Sequence, residues 1–224
     1  MIAGHVLTLA MLTIATILEP VYSKIMKKIG LFFGSFNPIH IGHLVIAEYM
    51  VEFTDLDQIW FVISPRNPLK KKETLLNENN RIRMVRLAIE YDTRFKASSI
   101  EFNLPRPSYT INTLAVLGEK YPKVEFSLIL GLDNLATLHK WKNYEQLLKN
   151  YKLYIYPRVY ANAEPPALAN HPSVVITEAP IVELSSTFIR KAISEGKTIK
   201  HMVPPQVGEY IKEMNFYKKH EESK

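Results

Sequence analysis

Residues 29–43 read IGLFFGSFNPIHIGH, an apolar run that passes into small, turn-forming residues and then two histidines. The apolar part is short and uninterrupted, as expected of a buried strand in a parallel sheet. Asn37 and Pro38 then favour a helix start, with Asn as the N-cap and Pro at the first helical position. The segment therefore predicts a strand, a tight turn at Gly34 and Ser35, and a helix.

A strand–helix junction of this kind is suited to binding phosphate. The first N–H groups of a helix have no partner within the helix and carry partial positive charge, so they attract anions. His40 and His43 stand three residues apart, so they share one face of the first helical turn. Two imidazoles there can donate hydrogen bonds to phosphate oxygens, and they are expected to be neutral because the helix dipole disfavours their protonation. Two polar surface histidines are the alternative interpretation, which the Gly-x-x-x-x-x-His-x-Gly-His spacing after an apolar strand disfavours.

The rest of the chain alternates short apolar runs with amphipathic segments. Strands are predicted at residues 29–33, 58–63, 95–102, 124–130, 153–156 and 174–176, and helices at residues 39–52, 80–90, 108–120, 185–194 and 205–214. This alternation predicts an α/β fold, with a doubly wound, Rossmann-like parallel sheet and helices on both faces. In such folds ligands bind beyond the carboxyl ends of the strands.

The length and composition fit a single globular domain. The chain has 224 residues, of which 47% are hydrophobic, enough for a substantial core. We assign residues 26–218 to this domain and residues 219–224 to a charged tail. Residues 1–25 contain an apolar run that is too short for a membrane span and lacks the positive start of a signal peptide. We interpret residues 1–25 as an N-terminal extension that is not native, because Met26 leads directly into the first strand; a short membrane-associating helix is the alternative.

The composition also narrows the classes of partner. The sequence has no cysteine, which excludes disulfides and thiolate metal sites, and no histidine–carboxylate cluster predicts a protein metal site. A formal net charge of +6 suits anionic partners. Because the basic residues are dispersed, small phosphorylated molecules are favoured over nucleic acid. We expect a cytoplasmic protein without stable membrane association, and the oligomeric state is left open, a homo-oligomer included.

A second segment adds to the phosphate site. Residues 184–190 read LSSTFIR, and the hydroxyls and N–H groups at such a helix start suit phosphate oxygens, which Arg190 can bind bidentately. Alone, Ser-Ser-Thr before a helix indicates only an N-cap cluster. Together with residues 29–43, it resembles the HxGH and (I/L)SSTxIR signatures of a nucleotidyltransferase superfamily and, within it, the bacterial nicotinate-nucleotide adenylyltransferases.

This resemblance covers about residues 26–218, and it implies both a reaction and a set of ATP-binding residues. The reaction is transfer of AMP from ATP to nicotinate mononucleotide, which gives deamido-NAD and pyrophosphate, with Mg²⁺ held mainly by the substrate. His40, His43 and Arg190 would be catalytic. The residues implied to contact ATP are these three with Gly34, Ser35, Phe36, Asp133, Ser186 and Thr187. The family usually opens with Gly-Gly-(Thr/Ser)-Phe-Asp-Pro, whereas residues 33–38 read FGSFNP here.

Three further segments match parts of that family that bind the acceptor. Residues 108–114 match a Ser-Tyr-Thr-x-x-Thr helix entry whose N–H groups meet the nicotinate carboxylate, and Trp141 matches a tryptophan that stacks on the pyridine ring. Residues 64–70 match a basic loop over the acceptor, with Leu69 in place of the usual histidine. The residues implied to bind the acceptor are Asn67, Lys70, Thr110, Trp141 and Lys142. A rim aromatic and a solvated lysine loop are the structural alternatives.

Other functions stay open at this point. The same fold could serve nicotinamide mononucleotide, phosphopantetheine or a cytidylyl transfer; phosphopantetheine is disfavoured because its family lacks the Ser-Tyr-Thr-x-x-Thr and tryptophan features. A non-catalytic nucleotide-binding protein is the non-enzymatic alternative, and two intact phosphate signatures argue against it. An RNA-binding protein is disfavoured because the sequence has no clustered basic stripe.

Overall fold

Strand β1 (Lys27–Gly34) lies inside a sheet that is covered on both faces. Its successive side chains point to opposite faces, so Leu31 packs in one hydrophobic core and Phe32 in the other. A strand buried in this way has to be apolar on both faces, which accounts for the uninterrupted apolar run in the sequence. The strand predicted at residues 29–33 is confirmed and is longer at both ends.

Six parallel strands form the sheet, in the order β3-β2-β1-β4-β5-β6. The other strands are β2 (Gln58–Ile63), β3 (Phe95–Ser98), β4 (Val124–Gly131), β5 (Leu153–Tyr156) and β6 (Val174–Ile176). The strand order reverses between β1 and β4, so the loops that follow these two strands diverge and open a crevice at the carboxyl edge. The predicted doubly wound parallel sheet is confirmed.

Helices cover both faces of this sheet. They are α1 (Ile41–Phe53), α2 (Glu78–Ala88), α3 (Thr110–Lys120), α4 (Leu132–Thr137), α5 (Tyr144–Asn150), α6 (Ser186–Ser194) and α7 (Pro205–Glu213). The buried side chains of α1, α2, α6 and α7 pack in one core, and those of α3, α4 and α5 pack in the other. Two core layers around a central sheet therefore place both loop edges of the sheet at the surface.

The computed structural model describes residues 26–65, 75–158 and 167–219. The predicted extension at residues 1–25 lies outside this part, as do Asn67, Lys70 and residues 220–224 of the predicted tail. In the part that is described, none of the helices has the length and apolar character that crossing a membrane requires.

The start of α1 differs from the prediction. The helix begins at Ile41 with His40 in the N-cap position, so Asn37 does not cap it. The side-chain oxygen of Asn37 instead accepts hydrogen bonds from the Leu76 N–H at 3.3 Å and from the Tyr217 hydroxyl at 2.9 Å. Because that oxygen is engaged with two distant segments, residues 37–40 remain a loop and the helix starts later.

Four other elements differ from the sequence prediction. Tyr109, not Ser108, stands at the N-cap position of α3. Strand β3 ends at Ser98 and continues as a 3₁₀ turn, Ile100–Asn103, instead of reaching residue 102. Helices α4 and α5 were not predicted, because each is short and is held by tertiary packing of Leu135, Leu147 and Leu148 in the core.

Candidate active site

The loop after β1 closes over a buried aromatic ring. Phe36 has a positive φ of 43° and is only 1% exposed, with its ring edge-on to Phe32 and Phe61 at 5.9 and 5.5 Å. A Cβ added at Gly34 would lie 2.7 Å from this ring, which explains the glycine. Since the Phe36 side chain is in the core, any contact of this residue with ATP comes from its backbone.

The two histidines of the first signature lie face to face at the start of α1. Their ring centroids are 3.7 Å apart and the rings are tilted by 31°. The backbone N–H of His40 donates to Nδ1 of His43 at 3.3 Å, so Nδ1 carries no proton. A neutral His43 then has its proton on Nε2, which makes that nitrogen a hydrogen-bond donor.

His40 is held in its neutral form. The side chain is 4% exposed, and this burial lowers the pKa of its imidazole to about 4, with a smaller contribution from the positive charge of Arg158. Its Nδ1 is buried and has no hydrogen-bond partner among the residues described. The expectation of a neutral imidazole agrees with this pKa, although burial and not the helix dipole is its main cause.

The glycine between the two histidines leaves room for the His40 ring. A Cβ added at Gly42 would lie 3.0 Å from Cγ1 of Val182 and 3.1 Å from Nδ1 of His40. These distances are shorter than ordinary van der Waals contacts, so a larger residue would displace the imidazole. The glycine of the His-x-Gly-His motif therefore helps to position the His40 ring.

The second signature is hydrogen-bonded directly to the first. Nη1 of Arg190 donates to the carbonyl oxygen of Asn37 at 2.8 Å, and Oγ of Ser186 donates to the carbonyl oxygen of Pro38 at 2.9 Å. Nη2 of Arg190 also donates to Oγ1 of Thr187 at 3.3 Å. The structure thus brings together the two groups of residues that the sequence predicts around the triphosphate.

Asp133 lies in the first turn of α4, two residues after the end of β4. Its Oδ1 is 3.6 Å from Nε of Arg158, and Nη2 of Arg158 donates to the Tyr156 hydroxyl at 3.1 Å. A Cβ at Gly131 would meet Oδ1 of Asp133, so a side chain at this position would displace the Asp133 carboxylate. The positive charge of Arg158 also lowers the pKa of the His40 imidazole, so Arg158 acts electrostatically on the start of α1.

The described residues of the acceptor prediction lie together at another part of this edge. Thr110 is half-buried at the first position of α3, and Trp141 is half-buried against the core that α3 helps to form. Nζ of Lys142 lies 4.6 Å from the ring centroid of Tyr109, which is 40% exposed. The start of α3 and the Trp141 segment are therefore neighbours.

Sequence reasoning missed Glu101, which lies beneath the start of α3. This side chain is 3% exposed and accepts a hydrogen bond from Oγ1 of Thr113 at 2.8 Å. Burial raises the pKa of its carboxyl group, and the hydroxyls of Thr113, Ser64 and Ser108 oppose that rise. In the sequence, a glutamate before a proline-rich segment is typical of a solvated residue, so no signal indicates its burial.

Arg158 and Arg81 were also missed. Arg158 lies two residues after the end of the buried strand β5, and a basic residue near the carboxyl end of a parallel strand could have been singled out on that ground. Arg81 lies in the first turn of α2 and is fully buried, which its charge would not suggest.

Comparison with known proteins places this site in a family. The model of the family described as cytidylyltransferase-like matches residues 31–192. The chain is 59% identical over 192 residues to a probable nicotinate-nucleotide adenylyltransferase of Flavobacterium johnsoniae, covering 86% of this chain and 100% of that protein. A protein of the same description from Bacteroides thetaiotaomicron is 45% identical over 186 residues, covering 83% and 91%.

A solved structure with low sequence identity has the same fold. The nicotinic acid mononucleotide adenylyltransferase of Plasmodium falciparum, in complex with NaAD, is 21% identical and superposes with a TM-score of 0.70 over 85% of this chain and 97% of that one. With the family match and the close relatives, the conclusion is that the chain belongs to the cytidylyltransferase-like family and, within it, to the nicotinate-nucleotide adenylyltransferases, which are nucleotidyltransferase enzymes.

Proposed function

We propose that the protein is a cytoplasmic enzyme of NAD biosynthesis that transfers AMP from ATP to nicotinate mononucleotide, giving deamido-NAD and pyrophosphate. The observation that carries this proposal is the direct bonding of Arg190 and Ser186 to the carbonyl oxygens of Asn37 and Pro38. These bonds gather a guanidinium, hydroxyls and a helix N-terminus beside the histidine pair, at the point where the strand order reverses. That combination of donors matches a polyphosphate.

The reaction proposed here needs no general base. A phosphate oxygen of the acceptor is already anionic, and it forms a bond to the α-phosphorus of ATP as the bond from that phosphorus to its bridging oxygen breaks. Pyrophosphate leaves with the electron pair. Catalysis then consists of alignment and of stabilising the charge on the phosphate oxygens, for which Nε2–H of His43 and the guanidinium of Arg190 are the donors.

His40 supports this arrangement in a different way from His43. Its ring stacks on that of His43 at a centroid distance of 3.7 Å, and its backbone N–H fixes the proton of His43 on Nε2. Because the pKa of His40 is about 4, it adds no charge at neutral pH. We assign its side chain the role of a neutral donor that also orients His43.

The acceptor end favours an anionic pyridine substituent. The N-terminus of α3 at Thr110 presents N–H groups and partial positive charge, and Lys142 beside Tyr109 adds a cation nearby. A carboxylate accepts hydrogen bonds from such donors with both oxygens, whereas the NH2 group of a carboxamide is itself a donor and cannot accept one. The site should therefore discriminate against nicotinamide mononucleotide. Trp141 provides an aromatic surface for the pyridine ring.

Nucleotidyltransferases of this kind generally use a divalent metal, and we propose Mg²⁺ here. Among the residues described, no group of three or more histidines and carboxylates could hold a metal ion. Asp133 is the carboxylate that follows β4 at the crevice, and Mg²⁺ prefers oxygen ligands from phosphates and water with one or two carboxylates. The residues therefore fit an ion that enters with ATP and neutralises its phosphate charge.

The test is pyrophosphate release by the purified protein with ATP, Mg²⁺ and one acceptor at a time. Nicotinate mononucleotide, nicotinamide mononucleotide and phosphopantetheine are compared, with a His43→Ala preparation as the control for contaminating activity. We expect the highest kcat/KM with nicotinate mononucleotide. A higher value with another acceptor would replace the substrate assignment, and ATP binding without release for any acceptor would favour a non-catalytic nucleotide-binding protein.

A further inference from the structure

Arg81 is a fully buried cation at the carboxyl edge of the sheet. Its side chain is 0% exposed, and it makes four hydrogen bonds, all to backbone carbonyl oxygens. Nε donates to Leu76 at 2.9 Å, Nη1 donates to Ser35 at 2.7 Å and to Ser64 at 2.8 Å, and Nη2 donates to Pro65 at 2.8 Å. The guanidinium therefore uses four of its five N–H groups as ties to the backbone.

The four acceptors belong to three separate segments. Ser35 directly follows β1 in the loop assigned to ATP, and Ser64 and Pro65 directly follow β2 in the segment assigned to the acceptor. Leu76 precedes α2, the helix that carries Arg81 itself. The Ser64 N–H already donates to the Gly34 carbonyl oxygen at 2.9 Å at the end of the sheet, and Arg81 bridges the residues that follow the two strands, at the edge where both substrates are proposed to bind.

Packing alone gives no reason for an arginine at this position. Burying a guanidinium carries a desolvation penalty, and hydrogen bonds to carbonyl dipoles offset it less than an ion pair with a carboxylate would. An apolar side chain often replaces a buried ion without loss of stability. Lysine could supply the charge but not the geometry, since its donors radiate from a single nitrogen. The planar group, with donors in several fixed directions, is what this junction requires.

We propose that Arg81 is a positioning residue of the transfer reaction, which holds the ATP loop after β1 in register with the acceptor segment after β2. The inference rests on the proposed function, because it assigns one substrate to each of the two loops. Arg81 is not a catalytic residue, since a side chain without exposed surface touches neither substrate. Its effect on the reaction is through the alignment of the attacking oxygen with the α-phosphorus.

The test compares Arg81→Lys and Arg81→Gln with the wild-type protein. We expect kcat at saturating substrates to fall about 10- to 100-fold, as misplacement of reacting groups by about 1 Å does. The Kd values for a non-hydrolysable ATP analogue alone and for the mononucleotide alone should stay within about 3-fold, because the groups that bind each substrate are intact. The matched controls are Arg83→Lys and Arg83→Gln, on the exposed side of the same helix, which should leave kcat unchanged.

A purely structural role gives a different result. If Arg81 only stabilises the fold, then part of each variant is unfolded and the folded part is fully active. Titration with the ATP analogue below the melting temperature would then count fewer binding sites per protein, with a normal kcat per site. That outcome would overturn the proposal. Loss of affinity for either substrate as large as the loss of kcat would overturn it too. If Arg81→Gln binds both substrates normally but reacts slowly, guanidinium added to the assay should raise kcat more than methylammonium does, because only guanidinium has the planar set of donors. A wild-type protein that is inactive with every acceptor refutes the proposed function instead.

Discussion

The Arg190 guanidinium donates to the carbonyl oxygen of Asn37 at 2.8 Å and so joins two segments that are 153 residues apart in the sequence. The same side chain bonds Thr187 within its own signature. Burial lowers the pKa of Arg190, and the Tyr217 phenol opposes this change. One guanidinium thus shapes the first phosphate loop and also carries the charge proposed to meet ATP.

Arg190→Lys should therefore fail although it keeps the charge. The guanidinium bonds Asn37 and Thr187 from two different nitrogens, whereas the donors of an ammonium group radiate from one nitrogen and do not reproduce that geometry. We therefore expect kcat/KM to fall by about 100-fold or more. The measurement is kcat/KM from steady-state kinetics. Lys191→Ala is the control, because Lys191 lies next to Arg190 on the exposed side of α6. A value for Arg190→Lys close to that of the control would contradict the dual role.

His43→Ala should lower kcat by about 100- to 1,000-fold, the usual cost of removing one donor to a developing oxyanion. The reason is that the His40 N–H donates to Nδ1 of His43, so the proton of the neutral ring is on Nε2, the atom proposed to donate to a phosphate oxygen. His43→Gln keeps an N–H donor of similar reach and should recover part of the rate. Both rates are measured by pyrophosphate release at saturating substrates, and unchanged rates in both variants would refute the phosphate role.

His40 should make the protein less stable in mild acid. The pKa of its imidazole is about 4 in the folded protein, against 6.5 ordinarily, so between these values the unfolded chain binds a proton that the folded chain does not. The free energy of unfolding should fall as the pH falls from 6.5 toward 4, by up to about 3 kcal/mol from this group. Urea unfolding at several pH values should show a smaller change in His40→Asn; an identical change in both proteins would exclude His40 as a cause.

The sequence was sufficient to predict the sheet, and it singled out two segments that the structure brings together at the starts of α1 and α6, for a physical reason. Strands buried on both faces must be apolar, as Leu31 and Phe32 illustrate, and a helix start that receives phosphate must combine small residues with donors. Both requirements are local, so they are visible as short patterns. The lateral strand order and the contact of Arg190 with Asn37 are not local, and they were accessible only through resemblance.

Two of the three missed residues have a role that depends on burial by distant segments. Arg81 and Glu101 have the sequence surroundings of surface residues, and only the packing of other elements encloses them. The helix start at Ile41 was wrong for a similar reason, because Tyr217, far along the chain, occupies the oxygen that Asn37 would use as a cap. Local propensity therefore failed where a tertiary hydrogen bond competes with a local one.

Glu101 should oppose stability when it is ionised. Burial raises the pKa of this carboxyl above its ordinary 4.5, so the folded protein retains a proton that the unfolded chain has lost. The free energy of unfolding should decline as the pH rises above 4.5 and through the raised pKa. Glu101→Gln should remove this decline and keep the bond from Thr113, whereas Glu101→Leu should cost about 1–3 kcal/mol by leaving that hydroxyl without its carboxyl partner. Chemical denaturation between pH 4 and pH 8 makes the comparison, and equal pH dependence in wild type and Glu101→Gln would contradict it.

Gly42→Ala should reduce activity without unfolding the protein. The added methyl group meets Nδ1 of His40 at 3.1 Å and Cγ1 of Val182 at 3.0 Å, so the His40 ring is displaced. The His43 ring, which stacks on it, is displaced as well. We expect kcat to fall at least 10-fold, since misplaced donors lose transition-state contacts. Gly118→Ala is the matched control, because its methyl group would meet nothing within 4 Å in the helix α3.

The control should even be stabilised, by about 0.5–1 kcal/mol, since alanine favours a helix interior over glycine. Thermal unfolding of the two variants measures the effect of alanine on helix stability, and their kcat values measure the effect of the added methyl group on the histidine rings. If Gly42→Ala gains stability and keeps the wild-type kcat, then the His40 ring tolerates displacement, and the spacing of the signature does not act through the geometry of the histidine pair.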